Sequence, residues 1–102
     1  HQLHRKGKNM REKTVESKFT SAVKANGGLA VKFTSPGFNG MPDRLVMFPS
    51  GRIAFVEVKA PGETPRPLQR SRLKLLRRLG FKAFVLDDIE QIGGIIDAIQ
   101  ST

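Results

Sequence analysis

The sequence IAFVEVK, residues 53–59, is an apolar run that ends in two charged side chains. Side chains alternate between the two faces of a strand, so Glu57 and Lys59 lie on one face together with Phe55. Both faces are largely apolar up to Glu57, as in a central strand that is covered on both sides. Charges are costly to bury without partners. The segment 52–60 is therefore predicted to be a central strand with a site at its C-terminal end.

Apolar periodicity and turn-forming residues divide the chain into one α/β domain with the element order αβββαβα. Helices are predicted over residues 11–26, from 65 or 67 to 79, and from 87 or 88 to 99. Strands are predicted over residues 29–34, 44–48, 52–60 and 81–86. Gly93 and Gly94 disfavour the last helix by ~1 kcal/mol each. This order predicts a mixed central sheet flanked by helices.

The start of the chain differs from the rest in composition. Residues 1–9 are polar and basic without apolar periodicity, and are interpreted as a flexible arm or an artificial extension ahead of a natural start at Met10. Residues 10–102 then form the domain. The chain has no cysteine, which excludes disulfides and thiolate metal sites. The lack of cysteine also suits a reducing cytosol, so we expect a cytoplasmic protein. No apolar run approaches the ~20 residues of a membrane span, so no membrane partner is expected.

The formal charge of +9, from 18 basic and 9 acidic residues, predicts a polyanionic partner. Nucleic acid is favoured over an anionic membrane, and a merely solvated basic surface is the alternative. Seven basic residues and no acidic one lie between positions 66 and 82. An RNA-binding protein is less favoured, because the chain has seven Phe but no Tyr or Trp, and most Phe lie at core positions.

A second acidic position precedes the neighbouring strand. Asp43 follows Pro42 directly, and a hairpin centred near Ser50 pairs position 43 with about position 57. Both carboxylates would then lie within reach of one ion, and Mg²⁺ or Mn²⁺ prefers such oxygen ligands. The alternative is that Glu57 forms only a salt pair with Lys59 while Asp43 begins a turn.

This combination resembles the PD-(D/E)xK nuclease superfamily, and more narrowly the VRR-NUC family in its small stand-alone phage and bacterial form. The likeness covers roughly residues 11–99. Its most specific parts are Gly40-x-Pro42-Asp43-Arg44, Phe55-x-Glu57-x-Lys59-Ala60-Pro61-Gly62, Gln69, and Leu79-Gly80-Phe81. The resemblance implies a restriction-endonuclease-like core and a metal-dependent, structure-selective DNA endonuclease that cuts branched DNA such as four-way (Holliday) junctions. It also implies location in the cytoplasm of a bacterial or phage-infected host cell. The alternatives are a simpler nicking or restriction-like nuclease and a catalytically silent DNA-binding module.

The family pattern also implies roles for the central residues. Asp43 and Glu57 would hold the metal together with the backbone carbonyl of Val58. Such an ion lowers the pKa of bound water and neutralises charge on the scissile phosphate. Lys59 would lie near the attacking water, where it could orient the water, stabilise the transition state or take a proton. The sequence leaves these three roles open.

Two further side chains are implied beside the metal. Glu16, on the first helix, borders the buried face and would complete the metal site directly or through water. Glu12 competes for that role, and a solvated glutamate near the helix start is the alternative. Gln69 shares a helix side with Leu73 and Leu76, so we expect it to face the sheet and to bond the water or a metal ligand. An ordinary cap or surface glutamine is its alternative.

The predicted DNA contacts surround this site. Lys32 and Ser35 would touch phosphates from a glycine-containing loop, unless that loop is an ordinary surface loop. Arg44 is interpreted as a DNA contact or an ion-pair partner. The remaining contacts form a helix stripe that touches the DNA backbone rather than the bases, namely Arg70, Lys74 and Arg77. The leucines predicted to face the sheet from the same helix are Leu68, Leu75, Leu76 and Leu79.

Likeness to archaeal junction resolvases implies a two-fold homodimer, because symmetric cutting of two strands needs two active sites. The apolar segment 89–99 is rich enough in isoleucine to serve as a dimer face. Packing of these isoleucines onto their own sheet is the favoured interpretation.

Overall fold

The first helix, α1, buries one apolar stripe. In the computed structural model, which describes residues 10–101 apart from the side chain of Met10, α1 spans Met10–Ala25. Val15, Phe19 and Val23 recur at every fourth position, and all three are buried. This spacing places them on one helix face, which packs on the sheet. The arm interpreted over residues 1–9 lies outside the described residues.

Four strands form one mixed sheet. The strands are β1 (Leu29–Lys32), β2 (Arg44–Phe48), β3 (Arg52–Val58) and β4 (Lys82–Leu86), in the spatial order β1-β2-β3-β4. The first three run antiparallel, and β4 is parallel to β3. A parallel neighbour requires a crossover connection, which helix α2 (Pro67–Arg78) supplies. The predicted α/β fold with its αβββαβα order is confirmed.

Helices cover both faces of the sheet. On one face, α1 and the last helix, α3 (Ile92–Gln100), enclose the larger core, to which β3 contributes its alternate residues, Val56 among them. On the other face, α2 packs Leu73 and Leu76 against Phe55. The predicted alternation along the central strand is therefore confirmed. Among residues 10–101, no helix is long and apolar enough to cross a lipid bilayer.

The isoleucines of α3 belong to the larger core. All four face inward and are buried: Ile92, Ile95, Ile96 and Ile99. Their burial outweighs the low helix propensity of Gly93 and Gly94. A short 3₁₀ turn, Ile89–Gln91, precedes the helix and is capped by Asp88, which accepts from the Glu90 backbone N–H. Packing onto the sheet, the favoured interpretation, is confirmed.

The buried face of α2 differs from the prediction for its leucines. The helix buries Gln69, Leu73 and Leu76, whereas Leu68 and Leu79 are exposed. The prediction was wrong for Leu68 and Leu79, whereas Leu75 is half-buried and Leu76 is buried as predicted. The helical row through position 68 also contains Arg72, whose charge disfavours burial against an apolar sheet. The row through position 69 faces the sheet instead, and its glutamine donates a hydrogen bond to buried Glu57.

Element ends agree with the prediction to within two residues, except at the start of the last helix. That helix was predicted from residue 87 or 88, but a 3₁₀ turn, Ile89–Gln91, comes first and α3 begins only at Ile92. The strand expected to reach Thr34 ends at Lys32, and the one expected to reach Ala60 ends at Val58. After α2, Gly80 has a positive φ of 98°, and the Phe81 N–H donates to the Leu76 carbonyl at 3.0 Å. This glycine-dependent cap ends the helix where the sequence predicted.

The buried face of α2 can be tested with two leucines from its last turns. Leu76 is 5% exposed and Leu79 is 63% exposed. We expect Leu76→Ala to lower the free energy of unfolding by about 2–5 kcal/mol, because it leaves a cavity. Leu79→Ala should change it by less than about 0.5 kcal/mol. Urea denaturation monitored by circular dichroism measures both, and equal losses would contradict the observed orientation of α2.

Candidate active site

The register of β2 and β3 brings the two predicted carboxylates to facing positions. Arg44 pairs with Val56, so the next step outward places Asp43 opposite Glu57. The Val58 backbone N–H donates to Asp43 Oδ2 at 2.9 Å, which joins the two strands at this end. The predicted pairing of position 43 with position 57 is confirmed.

Glu57 lies inside the protein with compensating partners. Its side chain is 1% exposed. Gln69 Nε2 donates to Glu57 Oε2 at 2.8 Å, and Lys59 Nζ lies 3.4 Å from the same oxygen. The other oxygen, Oε1, is buried as well. A buried carboxylate requires hydrogen bonds and a counter-charge. Gln69 supplies a hydrogen bond, and Lys59 supplies the counter-charge.

Both polar atoms of the Gln69 side-chain amide form hydrogen bonds. Its Nε2 donates to Glu57, and its Oε1 accepts from the Arg66 backbone N–H at 2.8 Å. Arg66 is the N-cap of α2, so this second bond satisfies one of the free N–H groups at the helix start. The glutamine side chain thus fixes the start of α2 relative to β3. Its predicted position facing the sheet is confirmed.

Val58 directs its backbone towards Asp43. Its N–H donates to that side chain, and the N–H and C=O of a residue in a strand project to the same side. The next N–H, of Lys59, points the other way and donates to the Leu86 carbonyl at 2.8 Å. The Val58 carbonyl therefore lies on the Asp43 side, at the end of β3.

These groups form an oxygen donor set for a hard divalent cation. Two carboxylates and one backbone carbonyl suit Mg²⁺ or Mn²⁺, which bind through a few protein oxygens and keep several waters. Within residues 10–101, no group of three or more His, Cys, Asp or Glu side chains lies together as a metal site. The residues that could hold such an ion are therefore two carboxylates, Asp43 and Glu57, and the Val58 carbonyl, and water would have to complete its coordination.

Glu16 lies beside this donor set and forms an ion pair. Its Oε2 is 2.9 Å from Arg44 Nε, and both side chains are largely buried. Arg44 Nη1 also donates to the Ala30 carbonyl at 3.2 Å. Glu16, Lys32 and Asp43 line one small cavity of about 150 Å³. The ion-pair interpretation of Arg44 is confirmed, whereas metal binding by Glu16 or by Glu12 remains a prediction.

The predicted DNA contacts of α2 differ in their hydrogen bonds within the protein. Arg70 Nη1 donates to the Pro65 carbonyl at 2.7 Å. Arg77 donates twice to the Ala83 carbonyl, from Nε at 3.0 Å and from Nη2 at 2.8 Å. Lys74 is exposed on the helix surface. On the other side of the site, Lys32 is exposed at the end of β1, and Ser35 is half-buried.

Arg72 and Phe38 have no role that the sequence pattern predicts. The structure places the Arg72 guanidinium 3.8 Å from the centroid of the Phe38 ring. Phe38 is 41% exposed, and Phe81 is exposed as well, so these two phenylalanines do not lie in the core as most were expected to. No sequence pattern indicates this contact, because its partners are far apart in the chain and belong to a loop and a helix.

Comparisons with known proteins agree with this geometry. Residues 5–87 match the family model for the VRR-NUC domain. A solved structure described as "VRR_NUC domain" superposes with a TM-score of 0.80 and 34% sequence identity, covering 85% of this chain and 95% of that one. The chain therefore belongs to the VRR-NUC domain family.

A relative in a phage supports the same class of protein. "Putative nuclease p44" of Acyrthosiphon pisum secondary endosymbiont phage 1 is 46% identical over 90 residues, which cover 88% of this chain and 96% of that protein. Family and relative together support a nuclease. The predicted VRR-NUC resemblance is confirmed.

The bond between Gln69 and Glu57 makes a stability prediction. Gln69→Leu removes the donor to a buried carboxylate and the acceptor for the Arg66 N–H. We expect the free energy of unfolding in EDTA to fall by about 1–3 kcal/mol. The matched control is Lys74→Leu, at an exposed position of the same helix, with an expected change below about 0.5 kcal/mol. Urea denaturation measures both variants, and an equal effect would show that Gln69 does not stabilise buried Glu57.

Proposed function

We propose that this chain is a Mg²⁺- or Mn²⁺-dependent endonuclease of DNA, that it prefers branched DNA such as four-way junctions, and that it acts as a homodimer. The observation that carries the nuclease assignment is Asp43 facing Glu57 across β2 and β3, with Lys59 beside Glu57. Membership of the VRR-NUC domain family supports the reaction class.

The metal would be held by Asp43, Glu57 and the Val58 carbonyl. A metal ion bound there would lower the pKa of its bound water and neutralise charge on the scissile phosphate. Hydrolysis joins a water oxygen to phosphorus and breaks the bond to one sugar oxygen, which leaves with a proton. The remaining task of the protein is to hold these oxygen donors in place, to orient the water and to balance charge.

Lys59 and Gln69 would perform that task around Glu57. The Lys59 ammonium lies 3.4 Å from Glu57 Oε2, so Lys59 and Glu57 project from the same strand face. From there Lys59 can donate to the attacking water or to a phosphate oxygen. Gln69 fixes the Glu57 carboxylate through its 2.8 Å hydrogen bond. A fixed carboxylate presents its oxygens in one orientation, which favours binding of a cation.

The basic surface around the site supports DNA as the substrate. The chain carries a formal charge of +9, which attracts a polyanion. Lys32 shares a cavity with Asp43, which supports a contact between Lys32 and a phosphate next to the cleaved one. Arg70, Lys74 and Arg77 would contact the DNA backbone, with the two guanidiniums oriented by their bonds to backbone carbonyls.

An exposed apolar row supports a homodimer. On the α2 side of the sheet, beyond the end of the helix, Leu29 pairs with Met47 and Met47 pairs with Ile53. Phe81 lies next to Ile53 by the β3–β4 register. Three of these four side chains are exposed, and Met47 is half-buried. A contiguous apolar surface of this kind is typical of protein interfaces, and a two-fold dimer would supply two active sites.

Cleavage can be tested on labelled four-way junction, flap and linear duplex DNA in Mg²⁺, Mn²⁺ or EDTA. We expect the wild type to cut in either metal, to cut the junction fastest, and to be inactive in EDTA. Asp43→Asn and Glu57→Gln should each lower kcat by about a hundredfold or more, because each removes a charged ligand. Glu63→Gln, at an exposed position after β3, is the matched control and should cut at the wild-type rate.

The same assay separates the alternatives. Equal cutting of all three substrates would refute the preference for branched DNA and leave a general nuclease. Tight, salt-sensitive binding without cutting in any metal would refute the nuclease and indicate a DNA-binding module. Normal cutting by Glu57→Gln would show that the active site lies elsewhere.

The dimer can be tested by light scattering coupled to size-exclusion chromatography. We expect a mass of twice the 11.3 kDa chain for the wild type. Ile53→Lys places a charge in the apolar row and should weaken association at least about tenfold. Ile89→Lys introduces the same charge at an exposed isoleucine outside this row and should leave the dimer intact. A monomeric wild type would refute the homodimer, and a dimeric Ile53→Lys protein would exclude this surface as its interface.

A further inference from the structure

The loop that delivers Asp43 is closed at its base by a backbone hydrogen bond. This loop, residues 33–43, joins β1 to β2 and is called here the β1–β2 loop. Its two ends meet where the Phe33 N–H donates to the Asp43 carbonyl at 2.8 Å. Within the loop, the Phe38 N–H donates to the Ser35 carbonyl at 3.0 Å, which turns the chain. The base is therefore held by the sheet, while the outer part needs other contacts.

Arg72 of α2 supplies those contacts. Its guanidinium stacks on the Phe38 ring, 3.8 Å from the centroid. Its Nε donates to the Asn39 carbonyl at 2.7 Å. A planar guanidinium can stack on an aromatic ring and donate in its own plane at the same time, which a lysine ammonium cannot do. One side chain thus binds two consecutive loop residues.

The segment between Asn39 and Asp43 packs directly against protein. Gly40 has a φ of 89°, and a Cβ atom there would lie 2.7 Å from Leu68 Cγ, so the backbone itself touches α2. Met41 packs against the smaller core, and Pro42 is buried. Each residue between Asn39 and Asp43 thus packs against the protein, so displacement of the outer loop would also move Asp43.

The same face of α2 also holds the other carboxylate. Gln69 and Arg72 are three residues apart, a spacing that places them side by side on a helix. Gln69 bonds Glu57, and Arg72 bonds the loop that ends in Asp43. Helix α2 therefore connects the two halves of the site through two neighbouring side chains.

We propose that Arg72 is a positioning residue of the active site: by stacking on Phe38 and bonding Asn39, it holds the β1–β2 loop so that Asp43 stays opposite Glu57. Arg72 touches neither metal nor scissile phosphate in this role. The catalytic part of the inference rests on the proposed function, whereas the geometric part can be measured on the metal-free protein.

The geometric test is amide hydrogen exchange, measured by NMR in EDTA on the wild type, Arg72→Lys and Phe38→Leu. The Val58 N–H is bonded to Asp43 Oδ2, and the Phe33 N–H to the Asp43 carbonyl. Both variants should accelerate exchange at these two amides on the order of tenfold, because the loop opens more often. The Lys59 N–H, bonded to Leu86, is an internal reference that should not change. Arg78→Lys, at an exposed position of α2, is the matched control.

The catalytic test separates positioning from DNA contact. In the cleavage assay, Arg72→Lys and Phe38→Leu should lower kcat on the order of tenfold, since small misplacements of catalytic groups are costly. They should also raise the Mn²⁺ concentration needed for half-maximal rate and leave KM for DNA near the wild-type value. A rise in KM alone, with unchanged metal dependence, would show that the Arg72–Phe38 pair binds DNA and would overturn the proposal.

The combined outcomes distinguish this inference from the proposed function. If the wild type does not cut DNA but Arg72→Lys accelerates exchange at Val58, the nuclease assignment fails and the positioning of Asp43 stands. If the wild type cuts and the variants match it in both exchange and kcat, the positioning role is refuted while the nuclease remains. Faster exchange over all amides would indicate general destabilisation and would also refute a specific role.

Discussion

A carboxylate buried in the sheet imposes the main constraint on this structure. Glu57 is 1% exposed, so its charge needs partners inside the protein. Lys59, two positions along the same strand, supplies a cation, and Gln69 supplies a hydrogen bond from α2. The face of α2 that packs on the sheet carries Gln69 beside Leu73 and Leu76, so the helix delivers this hydrogen bond together with its apolar contacts.

The two faces of the sheet therefore have different roles. The face under α1 and α3 is an almost purely apolar core, to which α3 contributes four isoleucines. The face under α2 has a smaller apolar core around Phe55, with the charged site at one end and exposed apolar side chains at the other. The larger core thus lies on the first face, where the Glu16–Arg44 ion pair borders it. Glu57 and its partners Lys59 and Gln69 belong to the second face.

Local sequence patterns were sufficient to predict most of the fold. Strand alternation predicted the faces of β3, and the turn centred near Ser50 predicted that position 43 meets position 57, which the register confirms. The spacing of Gln69, Leu73 and Leu76 predicted correctly that the glutamine faces the sheet. The leucine row through Leu68 was wrong, because the count of leucines was given more weight than Arg72 in the same row, and because a pattern of apolar residues does not show that Glu57 offers a partner to Gln69.

The amino-acid sequence by itself determined the elements, the hairpin register and the pairing of Asp43 with Glu57, because each depends on short-range periodicity and turn geometry. Only the tertiary structure decided that Arg44 binds Glu16 and that Arg72 holds the loop through Phe38 and Asn39. The partners in these contacts are separated by 28 to 34 residues, and several arginines and glutamates in the chain could have met instead. Packing of helices onto the two sheet faces selected these pairs, because it alone brings distant side chains within bonding distance.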